Sequence, residues 1–389
     1  MEAWNGATSQ QEHDGWLQPG SEQEPQWGLC PVSEIYQYAW FFFMQYGLIP
    51  WWMQQETPDS LEENFIAAVQ RQEGLCRSKW AQAWAGNRLN IQRWVLQCSA
   101  ALQKTVLHAV FGDAAGKAAS AGEGSLLQRL GAQEGKTPAA RNRLRFMYWD
   151  ALFSSLTAGP GPLRLKEKIR EKWQEWMHAD ISSTAVELLD GIQFPEMLHS
   201  MAAIPRGYAD APDTRPDFGL EEQVRVKQAG LVLLHGSLQQ LFESLQWIQL
   251  PEKGILPQYH ARAIHLLEFL AGGNGRAPEY DMALHKLLCG IPLDTPVEKD
   301  VQLAASEKNA ALALLDATAL QYFPQGHVNR GRLRSGFLQR EGRLQYEKGQ
   351  WQLQVARQAA ASLQAGLPWE TACIALPWMQ QPLTVQWTT

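Results

Sequence analysis

The sequence reads as a mainly α, α+β chain: helices along most of its 389 residues, closing in a small antiparallel β-sheet. Three observations carry that reading. Apolar residues recur at helical spacing from about Pro31 to Tyr322. After Arg330 the period changes to two. Within the helical stretch, Pro205–Asp217 holds three Pro and three Asp with almost no bulky apolar residues, which marks a boundary between two helical groups.

Met1–Gln26 is polar and acidic, without a basic segment leading into an apolar run. It is expected to be a disordered tail covering residues 1–30 and not a signal peptide. Ser33 is placed to cap a helix through Met44 that Gly47 ends, with Pro50 fixing the exit. Tyr38–Met53 is the most apolar stretch, but Gln45, Gly47 and Pro50 interrupt it. It falls short of the roughly 20 apolar residues that a membrane span needs. Further helices are expected after Asp59, over Lys79–Trp84, and over Leu89–Phe111, where Ile91, Trp94, Val95, Cys98, Leu102, Val106 and Val110 share a face. Residues 112–138 are rich in Ala and Gly, and read as a flexible insert around one short helix, Leu126–Leu130. Helices resume over Ala139–Leu156, Leu163–His178 and Thr184–Gly191, completing a helical region 31–204.

A linker is expected over 205–220, followed by a second helical domain, 221–389. Its helices lie within Glu221–Trp247 around the apolar run Leu231–Leu234, then over Tyr259–Leu270, Pro278–Leu288 and Ser306–Tyr322. Leu344, Tyr346, Trp351, Leu353 and Val355 alternate with polar residues around Lys348-Gly349, which predicts a hairpin. Cys373–Leu376 and Leu383–Trp387 read as two more strands.

Composition narrows the function. Apolar residues at 45% and charged residues at 19% describe a chain with real cores. The net charge of −6 argues against nucleic acid as a partner, since phosphate binding needs a basic excess. Cys30, Cys76, Cys98, Cys289 and Cys373 are scattered and odd in number, which fits free thiols in a reducing compartment. GxSxG, HExxH and P-loop motifs are absent. His285 and Cys289 are four apart, as two metal ligands on one helix face would be, but no third ligand is evident. The reading is therefore no catalytic residues, no metal and no cofactor.

Seventeen Trp are unusually many. They are either large buried rings or interface anchors. Arg330, Arg332, Arg334, Arg340 and Arg343 form the one basic concentration. They could grip an acidic protein surface or serve structural ion pairs.

A set of segments then points to one family. They are Gly47-Leu48-Ile49-Pro50-Trp51-Trp52, Ala229–Leu234, Leu241-Phe242, Arg262–Leu267, Pro278-Glu279-Tyr280, Lys286-Leu287-Leu288-Cys289-Gly290-Ile291-Pro292-Leu293, Leu333-Arg334 with Phe337–Gly342, Leu367-Pro368-Trp369, Leu376-Pro377-Trp378-Met379 and Leu383–Trp387. Together they resemble the tape measure proteins of contractile injection systems, which are phage-tail-like particles. The resemblance covers about half the chain and is concentrated over Lys227–Trp387. The chain departs from the family's pattern in two places. Met1–Gln26 stands where members often open with a strand-like segment, and Gly236-Ser237 where Pro-Phe is usual.

The resemblance implies a structural or assembly role, in which protein contacts set tube and sheath length. The implied partners are tube, baseplate or cap components, reached during assembly in the cytoplasm or within the particle. A transient chaperone absent from the mature particle is the alternative, and an enzyme with an unrecognised site a remote one. The candidate interaction residues are Trp51, Trp52, Arg330, Arg332, Arg334, Arg340, Trp369 and Trp378, although the Pro-Trp corners could equally be core. A literal ruler sits poorly with the composition. One continuous helix would reach roughly 580 Å, and about 1300 Å would require a fully extended chain. With 31 Gly, 21 Pro and 17 Trp, the chain reads as folded.

Overall fold

The structure, a computed structural model, describes residues 32–50, 53, 58–71, 80, 83–84, 87–134, 136–157, 164–195, 223–249, 254–275, 277–299, 301–322, 329–347, 349–356 and 373–388. The N-terminal tail, the 205–220 linker, Trp51, Trp52 and Trp369 lie outside them.

Among the described residues the regular elements of the first half are helices: α1 (Val32–Tyr46), α2 (Pro58–Arg71), α3 (Arg88–Leu96), α4 (Ala100–Phe111), α5 (Asp113–Leu130), α6 (Pro138–Thr157), α7 (Leu165–Met177) and α8 (Ser183–Asp190). Side-chain caps set several starts. Asn87, Ser99 and Ser182 each accept the backbone N–H three residues on. The Ser99 cap also divides the stretch that reads as one helix over Leu89–Phe111. Polar Gln97 and Ser99 interrupt the apolar face there, and Gln103 Nε2 donates to Trp94 O across the break at 2.6 Å. Val32 already belongs to α1, so Ser33 sits in its first turn instead of capping it.

One core joins these helices, and tryptophan builds its centre. Trp80, Trp84, Trp94 and Trp149 are all at most 1% exposed. Trp84 stacks on Phe153 at 3.9 Å, and Trp94 meets the Trp149 ring edge-on at 5.6 Å. For these four, ring burial in a core is the observed role.

The Ala/Gly stretch expected to be flexible is the 18-residue helix α5. Small residues serve close packing here. Ala115, Gly116, Ala118, Ala119 and Gly122 are buried. Tyr148 Oη on α6 donates to Ala119 O at 2.7 Å. Glu123 accepts from Arg145 Nε at 2.7 Å and Trp149 Nε1 at 2.9 Å. Backbones approaching this closely leave no room for bulk, so residues 113–125 lack the large apolar residues by which helices are recognised, and only the last turns carry them, at Leu126, Leu127 and Leu130.

The second half begins with β1 (Val224–Val226), which reads as helix in the sequence. A fully buried 3₁₀ segment, Ala229–Leu234, follows and leads into α9 (His235–Ser244). Next come the β2–β3 ribbon (Ile248–Gln249, Gly254–Ile255), α10 (His260–Gly272), α11 (Ala283–Leu288), α12 (Ala305–Tyr322) and α13 (Arg330–Leu333). A single π-helical turn, Arg334–Leu338, delivers the chain to the sheet strands β4 (Gly342–Glu347), β5 (Gln350–Ala356), β6 (Cys373–Ile374) and β7 (Leu383–Thr388). The strand order is β1-β4-β5-β7-β6. The β4–β5 hairpin pairs Leu344 with Leu353 and Tyr346 with Trp351, as the alternation predicts. The sheet is mixed, not antiparallel throughout, because β7 lies parallel to β5 with Leu353 opposite Val385. Residues 357–382 separate these two strands, which is ample chain for the long connection parallel pairing requires.

Candidate functional site

Residues from three of the quoted family-like segments, Gly47 and Leu48, Glu279 and Tyr280, and Lys286 and Leu293, meet at one place, the joint between the two cores. Arg93, in the middle of α3, is 0% exposed. Its Nε and Nη2 donate to Glu279 Oε1, both at 3.2 Å. Its Nη1 donates to Met44 O at 2.8 Å and Gln45 O at 3.0 Å, the last turn of α1. Its Nη2 also reaches Asp294 O. Lys286, in α11, donates to the same Glu279 Oε1 and to Leu293 O, both at 2.7 Å. A single carboxylate oxygen thus receives two cations that come from different halves.

Burial pulls both cations below their usual pKa, and Glu279 opposes that pull in each case. Two charges that would be costly alone are held by one counter-ion and four carbonyl oxygens. Gly47 closes the site. Its φ is +71°, and a Cβ there would collide with Glu279 Oε1 and lie 2.7 Å from Arg93 Nη2. Leu48 packs on the second core, and Tyr280 is buried in the first, edge-on to Phe43 at 5.8 Å.

The loop 293–299 extends the joint. Gln97 Nε2 donates to Val297 O. Asn142 Nδ2 donates to Glu298 Oε1 at 3.3 Å, and Lys299 faces Glu62 at 3.8 Å.

Within the second half several of the other described segments pack on one another. Gly230 lies directly under Phe337, where any Cβ would collide with the Phe337 carbonyl. The N–H of Ala229 donates to Arg340 O at 2.8 Å. Trp378, half-buried, donates from Nε1 to Leu288 O at 2.8 Å, which docks the Leu376–Met379 corner on α11. Its ring also lies 5.6 Å from Phe242.

The basic concentration is divided. Arg340 is 4% exposed, donates to Gly336 O, and lies over the Phe337 and Trp387 rings. Arg334 closes the C-terminal end of α10 by donating to Leu270 O at 2.9 Å and Phe269 O at 3.0 Å. Arg330 pairs with Asp316 through two donors while remaining exposed, and Arg332 is exposed beside it. The exposed basic pair is therefore Arg330 and Arg332.

The joint itself was not apparent from the sequence. Arg93 sits in a helix without any motif, and its partner Glu279 is 186 residues away. The one available signal was that Gly47, Glu279 and Lys286 all fall in family-like segments.

Among the described residues, no group of three or more His, Cys, Asp or Glu is placed to hold a metal ion. His285 instead faces Gln228 Oε1 at 2.8 Å and Glu268 at 3.3 Å. Burial raises the Cys289 thiol well above its usual pKa, which keeps it protonated. No helix among the described residues is long and apolar enough to cross a membrane.

No curated protein and no solved structure matches the chain. The family model of the contractile injection system tape measure protein matches residues 34–387, well beyond the half of the chain that the quoted segments span, and the chain belongs to that family.

Proposed function

We propose that this chain serves its contractile injection system as a folded assembly component that acts through protein contacts, with an influence on tube and sheath length that does not depend on its own extended reach. The observation that carries the reading is the convergence of Gly47, Glu279, Lys286 and the 293–299 loop on one buried joint. Segments typical of the family are spent here on holding two cores together, which supports a folded working state. The longest helix among the described residues has 20 residues and so spans about 30 Å.

In this proposal the partners are tube, baseplate or cap components met in the cytoplasm. The candidate contact residues are Trp51, Trp52, Trp369 and the exposed pair Arg330 and Arg332. A carboxylate-bearing surface suits the two guanidinium groups. Arg334, Arg340 and Trp378 contribute by holding their own domain together.

Electron microscopy of particles from a deletion strain, with a blot for the chain in purified wild-type particles, tests the proposal. Altered lengths or missing particles are expected. Normal particles from the deletion strain would overturn it. The blot separates a resident component from a transient chaperone. A ruler is distinguished by inserting 20 helical residues, which would lengthen particles by about 30 Å if the chain were read as a continuous helix. The folded reading expects no such proportional change.

A further inference from the structure

The helix α12 is apolar on both its sides. Its inner face, with Ala311, Leu315 and Ala319, belongs to the second core. A surface helix ordinarily turns charged and polar side chains outward. The outward arc of α12 instead runs through Ser306, Asn309, Ala313, Asp316, Ala317 and Leu320, all exposed. Leu320 is 69% exposed, and no other large apolar side chain among the described residues is so uncovered. Asp316 is the arc's single charge, and Arg330 of α13 neutralises it through two donors. Glu307 does not contribute, because it is buried and paired with Arg262 of α10.

We propose that this arc is a docking face for a second copy of the same chain, α12 lying antiparallel to α12 across a twofold axis. The face is complementary to itself in shape. Leu320 projects, while Ala313, two turns earlier, leaves the helix backbone nearly bare. The two residues lie equally far from a point between Asp316 and Ala317. An axis through that point sets Leu320 of each copy over Ala313 of the other, which is the self-matching contact that twofold dimers require.

Charge gives the same answer. The face carries one acid and one base side by side, so a partner of a single charge sign would always meet a like charge there. A second copy brings both signs, and the axis gathers two carboxylates and two guanidinium groups that can pair across it. Size sets the strength. An arc about 21 Å long on one helix covers less than the roughly 800 Å² per partner of a standard interface, so the pairing is weak and reversible. The inference does not rest on the contacts proposed above with particle proteins. The purified chain alone tests it, so either idea can fail without the other.

The experiment is sedimentation velocity of the full chain from roughly 1 to 200 μM, the range in which a small interface dissociates. The mass is expected to rise from one chain towards two as concentration increases. Leu320→Glu should weaken association by roughly tenfold or more, because it would bury an unpaired carboxylate between the copies. Its side chain is exposed in the single chain, so circular dichroism should not change. Ala313→Leu separates a fitted face from a merely sticky one. It adds exposed apolar surface, yet it fills the place that Leu320 of the other copy takes. A fitted face therefore loses association in this variant, whereas general stickiness gains it. A wild-type chain that stays monomeric throughout overturns the proposal and needs no variant. So does a dimer that Leu320→Glu leaves intact, or one that Ala313→Leu leaves unchanged or strengthens.

Discussion

Glu279 shows how much of the joint rests on single atoms. Its Oε1 receives Arg93 and Lys286 together, at 0% side-chain exposure for the carboxylate. Removing that charge strands two buried cations, a change that typically costs about 3–5 kcal/mol. Glu279→Gln is expected to lose stability of that order in denaturant titrations. Adding Lys286→Met should recover part of the loss, because one of the stranded charges is then gone. Strict additivity of the two substitutions would show that Glu279 and Lys286 do not interact. Gly47→Ala makes the same point through the backbone, since it would have to adopt a left-handed φ and displace Glu279. The sequence offered these residues only as members of quoted segments. Charge pairing across 186 positions leaves no local pattern, so the pairing itself was not legible.

At the scale of elements, legibility followed the strength of the period. The helices α6, α7, α10 and α12 and the β4–β5 hairpin lie within a few residues of where their apolar spacing puts them. The elements that were missed lack a period long enough to read. β1 is three residues long, and the Ala229–Leu234 segment is apolar on every side because it is buried on every side. In α5 the packing partners demand small residues, so low bulk resembles flexibility. Gly124 tests this directly. It lies within α5, and a Cβ there meets nothing within 4 Å. Gly124→Ala should stabilise the protein by up to about 1 kcal/mol, and Gly124→Pro should cost about 3 kcal/mol. If thermal melts of both variants matched the wild type, residues 113–130 would not be acting as a helix.

For the whole molecule, the described helices fall into two groups, and the sequence carries no local sign of what connects them. Each group has its own apolar core, and polar and charged contacts from Arg93, Gln97, Asn142 and Lys299 cross between them. Such contacts are directional, so they fix one relative placement where a purely apolar seam would tolerate sliding. Holding a fixed placement is what a folded component needs if surfaces on both halves are to meet particle proteins at once. The proposed division at residues 205–220 makes this testable. Two co-expressed fragments, split within that stretch, are expected to purify together through the joint alone. Arg93→Met should release them, because it removes the contacts to Glu279, Asp294 and the end of α1 while keeping a side chain of similar length. Circular dichroism of each fragment would confirm that the substitution leaves the first half helical. Wild-type fragments that separate, or Arg93→Met fragments that stay together as firmly, would show that the halves are coupled by something other than this joint.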